Sequence, residues 1–143
     1  MANEKMTFTL LRPTRSDLPA LFGLIKRAFN GVHCAKAEFE FCCDAVRTQR
    51  ASFYHLMGRE QGVSLRFVGY VTDDNDYLIL AMTGKGLNKA APVILEAVKS
   101  QGYRSIKYHT VRRGMTRILK GFGFSVMSQS QHDTVMSLQL EGC

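Results

Sequence analysis

The stretch Gly84-Lys85-Gly86-Leu87-Asn88 has the clearest chemical use in this chain. It follows the apolar run Tyr77 to Met82 and precedes a helical pattern. Its backbone N–H groups and the start of that helix would together make a positive cradle suited to phosphate. Glycine permits left-handed dihedrals and close approach of a ligand to the backbone. A lone G-x-G also serves simply to turn a chain. The motifs that would narrow the ligand are missing, since the chain holds no G-x-x-x-x-G-K-[ST] and no third glycine of the dinucleotide fingerprint. His33, Cys34, Cys42 and Cys43 are residue types that zinc takes, but they lack the paired C-x₂₋₄-C spacing of a structural zinc site. No metal is expected. Adjacent Cys42 and Cys43 are poor mutual disulfide partners, and with Cys34 and Cys143 they read as reduced thiols of a cytoplasmic protein.

The elements that must position this stretch follow from periodicity and punctuation. Thr7 to Leu11 reads as a first strand stopped by Pro13. Leu18, Leu21, Phe22, Ile25, Ala28 and Phe29 form one apolar helical face that Asn30-Gly31 ends, and a second helix spans Ala35 to about Gln49. Ser52 to Gly58 and Ser64 to Thr72 are strands about the turn Glu60-Gln61-Gly62. The acidic run Asp73-Asp74-Asn75-Asp76 is the next turn, and Tyr77 to Met82 a buried strand. After the glycine loop a helix runs to Ser100, with Pro92 placed in its first turn because deeper in it would remove a hydrogen bond. Arg104 to Val111 is a strand, Gly114 to Gly121 a short helix, and Phe124 to Met127 with Thr134 to Leu140 a closing hairpin about residues 130–133. The order β-α-α-β-β-β-α-β-α-β-β predicts a mixed α/β sheet in one domain covering residues 1–143, with helices on both faces. Strand, glycine loop, helix and strand form a βαβ unit, so one strand pair is parallel. Thr134 to Leu140 reads as an edge open to pairing in a homodimer.

A chain of 143 residues that is 45% hydrophobic and 22% charged can close one core and is not disordered. Its longest apolar run is far short of a membrane span, and its first residues do not form a signal peptide. The net charge of +7, from 19 Lys and Arg against 12 Asp and Glu, favours an anionic partner such as nucleic acid, an acidic protein or a phosphorylated small molecule.

The order of elements and the stretch Thr83 to Phe124 resemble a GCN5-related N-acetyltransferase (GNAT). Leu11-Arg12-Pro13-Thr14 with Asp17-Leu18 is similar to that family's opening, Gly84-Lys85-Gly86-Leu87 to its pyrophosphate loop, and Gly121-Phe122-Gly123-Phe124 to its closing Leu-Gly-Phe. The resemblance implies a pocket for acetyl-CoA where the strand ending at Met82 and the strand starting at Arg104 splay apart. The pyrophosphate would sit on the amides of Thr83, Gly84, Lys85, Gly86, Leu87 and Asn88, and the acyl arm beside Leu80, Ala81 and Met82. Lys85, Arg112, Arg113 and Arg117 would add charge toward the 3′-phosphate. The chain departs from the family pattern at several places. Thr83 and Asn88 stand at the outer loop positions, with Asn88 read as a left-handed residue or a helix cap, and Pro92 would delay the helix. Leu119 stands where a tyrosine commonly protonates the leaving thiolate, and Arg112 replaces an asparagine.

Acyl transfer to an amine needs a base and a proton source. His109 is the preferred candidate, since strand alternation puts Lys107 and His109 on one face while Ile106 and Tyr108 face the core. Asp76 is a second candidate base, and Tyr54, His55 and Tyr77 complete the set. Two readings follow: an acetyl-CoA-dependent N-acetyltransferase acting on an amine, or a catalytically silent protein of the same fold that binds a protein or nucleic acid.

Overall fold

The computed structural model describes residues 6–110, 113–130 and 134–140. Strand β1 (Thr7–Leu10) leads to helix α1 (Leu18–Ile25), whose Pro19 sits in the first turn where no N–H is needed. Leu18, Leu21, Phe22 and Ile25 bury one face at the helical spacing read from sequence. The helix then tightens into a 3₁₀ turn over Lys26–Phe29, and α2 follows over Ala35–Arg47. Strands β2 (Ala51–Gly58), β3 (Val63–Val71) and β4 (Asp76–Lys85) form an antiparallel meander. Helix α3 (Leu87–Ser100) crosses to β5 (Ser105–Thr110), and α4 (Arg113–Gly121), β6 (Ser125–Gln129) and β7 (Thr134–Gln139) complete the chain.

These strands form a seven-stranded mixed sheet in the order β1-β2-β3-β4-β5-β7-β6. Only β4 and β5 run parallel among the described pairs. One core packs α1, α2 and the 3₁₀ turn on one face, centred on Phe22, Phe53 and Val68. The other packs α3 and α4 on the opposite face, centred on Phe67, Ile79, Ile94 and Leu119. The α/β class and the element order expected from sequence are those observed.

Four expectations need correction. Thr134 to Leu140 is not an edge, because β7 lies between β5 and β6; the edges are β1 and β6. Asp76 is not part of a solvated turn, since it opens β4 and is 1% exposed. Pro92 is not in the first turn and delays nothing. Helix α3 starts at Leu87, so Pro92 is inside it and exposed, and the carbonyl it leaves unbonded belongs to exposed Asn88.

The glycine loop is the fourth. β4 continues through it, with Thr83 opposite Arg66, Gly84 opposite Leu65 and Lys85 opposite Ser64, so Gly86 alone separates strand from helix. Packing explains both glycines. A Cβ on Gly84 would run into the Ser64 carbonyl oxygen and lie 2.8 Å from Leu65 Cα, and one on Gly86 would lie 2.8 Å from the Gly62 carbonyl oxygen. Their φ angles of +129° and +89° also disfavour any side chain. Gly84→Ala is therefore expected to destabilise the fold by at least about 2 kcal/mol, from strain plus displacement of β3. Denaturant unfolding checks this, and an unchanged midpoint would contradict it.

Candidate functional site

The parallel pairing of β4 with β5 starts at Asp76–Ser105 and stops at Ile79–Tyr108. Beyond that point β5 continues beside β7, with His109 opposite Val135 and Thr110 opposite Thr134, while β4 stays with β3. The two strands therefore part, and a cleft opens between Leu80–Met82 and His109–Thr110. The parting coincides with a β-bulge. Val68 pairs with Ala81 and Gly69 with Ile79, which leaves Leu80 as an extra residue on β4 without a partner on β3. A bulged residue leaves ladder groups unmade and re-aims its neighbours.

Leu80, Ala81, Met82 and His109 line a cavity of about 30 Å³ in this cleft, together with Ala28 and Met115. Sequence reasoning brought the first four together and missed the other two. Ala28 comes from the 3₁₀ turn and Met115 from the start of α4, and no local pattern marks either. Tyr108 is buried in the core and His109 half-buried on the opposite face of β5, in accord with strand alternation.

Above the cleft stands the N-terminus of α3. Its N-cap is Gly86, in a left-handed conformation, so no side chain caps the first turn and no acidic residue neutralises it. The Gly86 carbonyl accepts from the N–H groups of Lys89 and Ala90, at 3.1 and 2.9 Å. Asn88 is the second residue of the helix rather than its cap, with its side chain exposed. Uncapped N–H groups and the positive end of a helix dipole are features that favour negative charge. Lys85 and Lys89 flank this helix start as exposed side chains. Arg117 is exposed on α4; Arg112 lies outside the described residues, as does the side chain of Arg113.

Asp76 stands at the closed end of the cleft, four residues before Leu80 and so roughly 13 Å away along the strand. Arg104 donates to both its oxygens at 3.1 and 2.9 Å, Ser105 Oγ donates at 2.6 Å, and Lys107 Nζ donates at 2.9 Å. The Arg104 guanidinium, then Ser105 and Lys107, hold its carboxyl far below the usual range against the opposing effect of burial. A carboxylate so committed ties β4 to β5 and is a poor base.

The remaining candidates are scattered. His55 bonds Ser64 Oγ at 3.0 Å between β2 and β3, and burial, then Arg66, lowers its pKa. Tyr54 and Tyr77 lie away from the cleft, toward the C-terminal half of α3. Leu119 is 3% exposed in the α3 and α4 core. Cys34 is exposed, whereas Cys42 is buried and its thiol is pushed up to about 12, first by burial and then by Cys43. Among the described residues no group of three or more His, Cys, Asp or Glu is arranged to hold a metal. Nor is any described helix long and apolar enough to cross a membrane.

No family model matches this sequence and no curated protein does. The fold, in contrast, has many counterparts among solved structures. An acetyltransferase of Bacillus subtilis in complex with CoA superposes with a TM-score of 0.67 at 14% identity, covering 96% of this chain and 100% of that one. The spermidine N-acetyltransferase of Vibrio cholerae, in complex with CoA and spermine, gives 0.64 at 11% identity over 96% of this chain and 97% of that one. The ribosomal-protein-S18-alanine N-acetyltransferase of Escherichia coli gives 0.62 at 12% identity, covering 97% of this chain and 96% of that one.

Proposed function

From a chain with the fold of the GCN5-related N-acetyltransferases, we propose an acetyl-CoA-dependent N-acetyltransferase acting on an amine. The observation that carries this is the parting of β4 from β5 beneath an uncapped helix N-terminus. A long thioester with a diphosphate needs both features: a cleft for its arm and backbone donors for its charge. Acetyl-CoA supplies the activated acetyl group; the amine nitrogen bonds the acetyl carbon as the carbon–sulfur bond breaks.

Each part of the site has a task in that reaction. The N–H groups at Gly86, Leu87 and Asn88 hold the diphosphate, and Lys85 adds charge beside them. Leu80 to Met82 align the arm, and the groups freed by the bulge at Leu80 are available to its amides and to the thioester oxygen. His109 takes the proton released by the attacking nitrogen. Leu119 offers no acid, so the departing thiolate takes its proton from water, and positioning contributes most of the rate.

Calorimetric titration of acetyl-CoA into the parent chain and into Asn88→Glu tests the reading. Asn88 is a better probe than Gly86, where any side chain would strike β3. A carboxylate about 5 Å from the diphosphate costs about 2 kcal/mol, a roughly 30-fold loss of affinity. The same carboxylate favours the helix dipole, so the variant should melt no lower than the parent. A folded parent that takes up no acetyl-CoA at millimolar concentration, or a variant of equal affinity, would sink the proposal.

The burial of Leu119 where the resemblance expects a tyrosine favours a second reading, a silent module that binds an acidic protein or nucleic acid. Acetyl-CoA binding without turnover of any amine, together with salt-sensitive DNA binding, is its expected result.

A further inference from the structure

On the α3 face, well away from the cleft, lies a cavity of about 220 Å³. Phe8 from β1, Tyr54 from β2, Phe67 from β3, Tyr77 from β4 and Tyr103 before β5 surround it, and Ile94 begins the α3 wall. The rings support one another. Phe8 meets Tyr54 and Phe67 edge-on at 6.2 and 6.3 Å, while Tyr77 and Tyr103 lie 5.4 Å apart at 37°.

The hydroxyls supply the polar part of the lining. Tyr77 is 8% exposed and lines the cavity, yet no described residue hydrogen-bonds its hydroxyl. Among the described residues only Gln61 Oε1 and Arg66 Nε are fully buried without a partner, so the Tyr77 Oη opens onto the cavity and its water rather than being sealed in. Its position is also built, because a Cβ on Gly69 would strike the Tyr77 Oη. Only glycine at that point of β3 lets the phenol lie across the strand. Burial, then the nearby Tyr54 and Tyr103, raises the Tyr77 pKa, so the hydroxyl stays protonated and able to donate.

Charge and size narrow what this cavity accepts. Among the described residues Arg50 is the only formally charged one on its wall, and the Arg50 guanidinium lies over the Phe41 ring at 5.6 Å and donates to Thr48 Oγ1 at 3.2 Å. A cation therefore meets no described carboxylate on this wall, and the Arg50 guanidinium is held by Phe41 and Thr48. A cavity of about 150 Å³ holds one benzene ring, so 220 Å³ leaves room for a ring with a short substituent.

We propose that this cavity is a second binding site, for a neutral aromatic molecule carrying a carbonyl-type acceptor that the phenol hydroxyls of Tyr77, Tyr54 and Tyr103 engage. The site is separate from the acyl-transfer cleft and does not depend on the reading of that cleft.

Acetophenone and ethylbenzene are the probes, alike in shape and different in the acceptor. NMR of ring-labelled tyrosine follows each titration into the full chain. Acetophenone should give saturable shifts at Tyr54, Tyr77 and Tyr103, with ethylbenzene about tenfold weaker. Tyr77→Phe should bring acetophenone down to the ethylbenzene affinity while ethylbenzene is unchanged. Since the Tyr77 hydroxyl bonds no described group, this variant should fold and melt like the parent. Tyr103→Phe repeats the comparison at the neighbouring ring. No saturable shift in the folded chain, equal affinity for the two probes, or indifference to both substitutions would overturn the proposal.

Discussion

In the His109→Ala variant, transfer of acetyl to a primary amine should fall at least about 100-fold while the affinity for acetyl-CoA is unchanged. The asymmetry follows from where His109 stands. It lies on β5 just beyond the last residue paired with β4, and it lines a cavity with Leu80 to Met82 that Gly86, Leu87 and Asn88 do not line. Its side chain can serve the attacking nitrogen without touching the phosphate end. Adding imidazole to the variant should restore part of the rate, because the truncated side chain leaves space for the same base. A merely structural histidine would lower stability and binding together and show no rescue. Full activity in the variant, or loss of acetyl-CoA binding in step with the rate, would remove His109 from the mechanism.

The other large effect concerns stability. Asp76→Ala is expected to cost about 3 kcal/mol, the low end of the range for breaking a buried ion pair from one side. The low end applies because Arg104 is 43% exposed and can turn to water, whereas Lys107, at 19%, is more confined. Denaturant midpoints of parent and variant give the number. The same pair fixes a pH dependence. The folded pKa of Asp76 lies below its unfolded value, so the unfolded chain binds the proton more readily. This stabilisation is complete above the unfolded value near 4 and is lost progressively as the pH falls below it toward the depressed folded value. Asp76→Ala should flatten that acid limb, and an identical acid limb in both proteins would contradict the assignment.

Much of the fold was legible because its signals are local. The 3.6-residue spacing in α1 and the two-residue alternation in β5 each needed only a few neighbours to read, and the positions of Tyr108 and His109 followed from the latter. The misreadings share a cause, which is contact between residues distant in sequence. Gly84-Lys85-Gly86 has the composition of a loop, but β3 holds it as strand, and the glycines answer to the Ser64 and Gly62 carbonyls rather than to the turn. Asp76 belongs by composition to the acidic turn before it, yet Arg104 and Lys107, more than 25 residues on, draw it into the sheet. Thr134 to Leu140 comes last in the chain, and nothing local says that β6 would take the outside. The cleft was placed by resemblance; Ala28 and Met115 reach it through the packing of helices whose sequences carry no mark of it.

A strand presents its residues to two sides in strict alternation, and the bulge at Leu80 breaks that count once. Tyr77 and Ile79 face α3, Leu80 and Ala81 both pack toward α1 and α2, and Met82 faces α3 again. The extra residue therefore acts as a half-period phase slip, shifting everything downstream by one place. Deleting one residue here would shorten the strand by little more than 3 Å. It would bring Ala81 directly after Ile79 in the existing register and leave Ala81 through Lys85 on the sides they now face, so the loss would fall on the unpaired backbone that the bulge offers to the cleft.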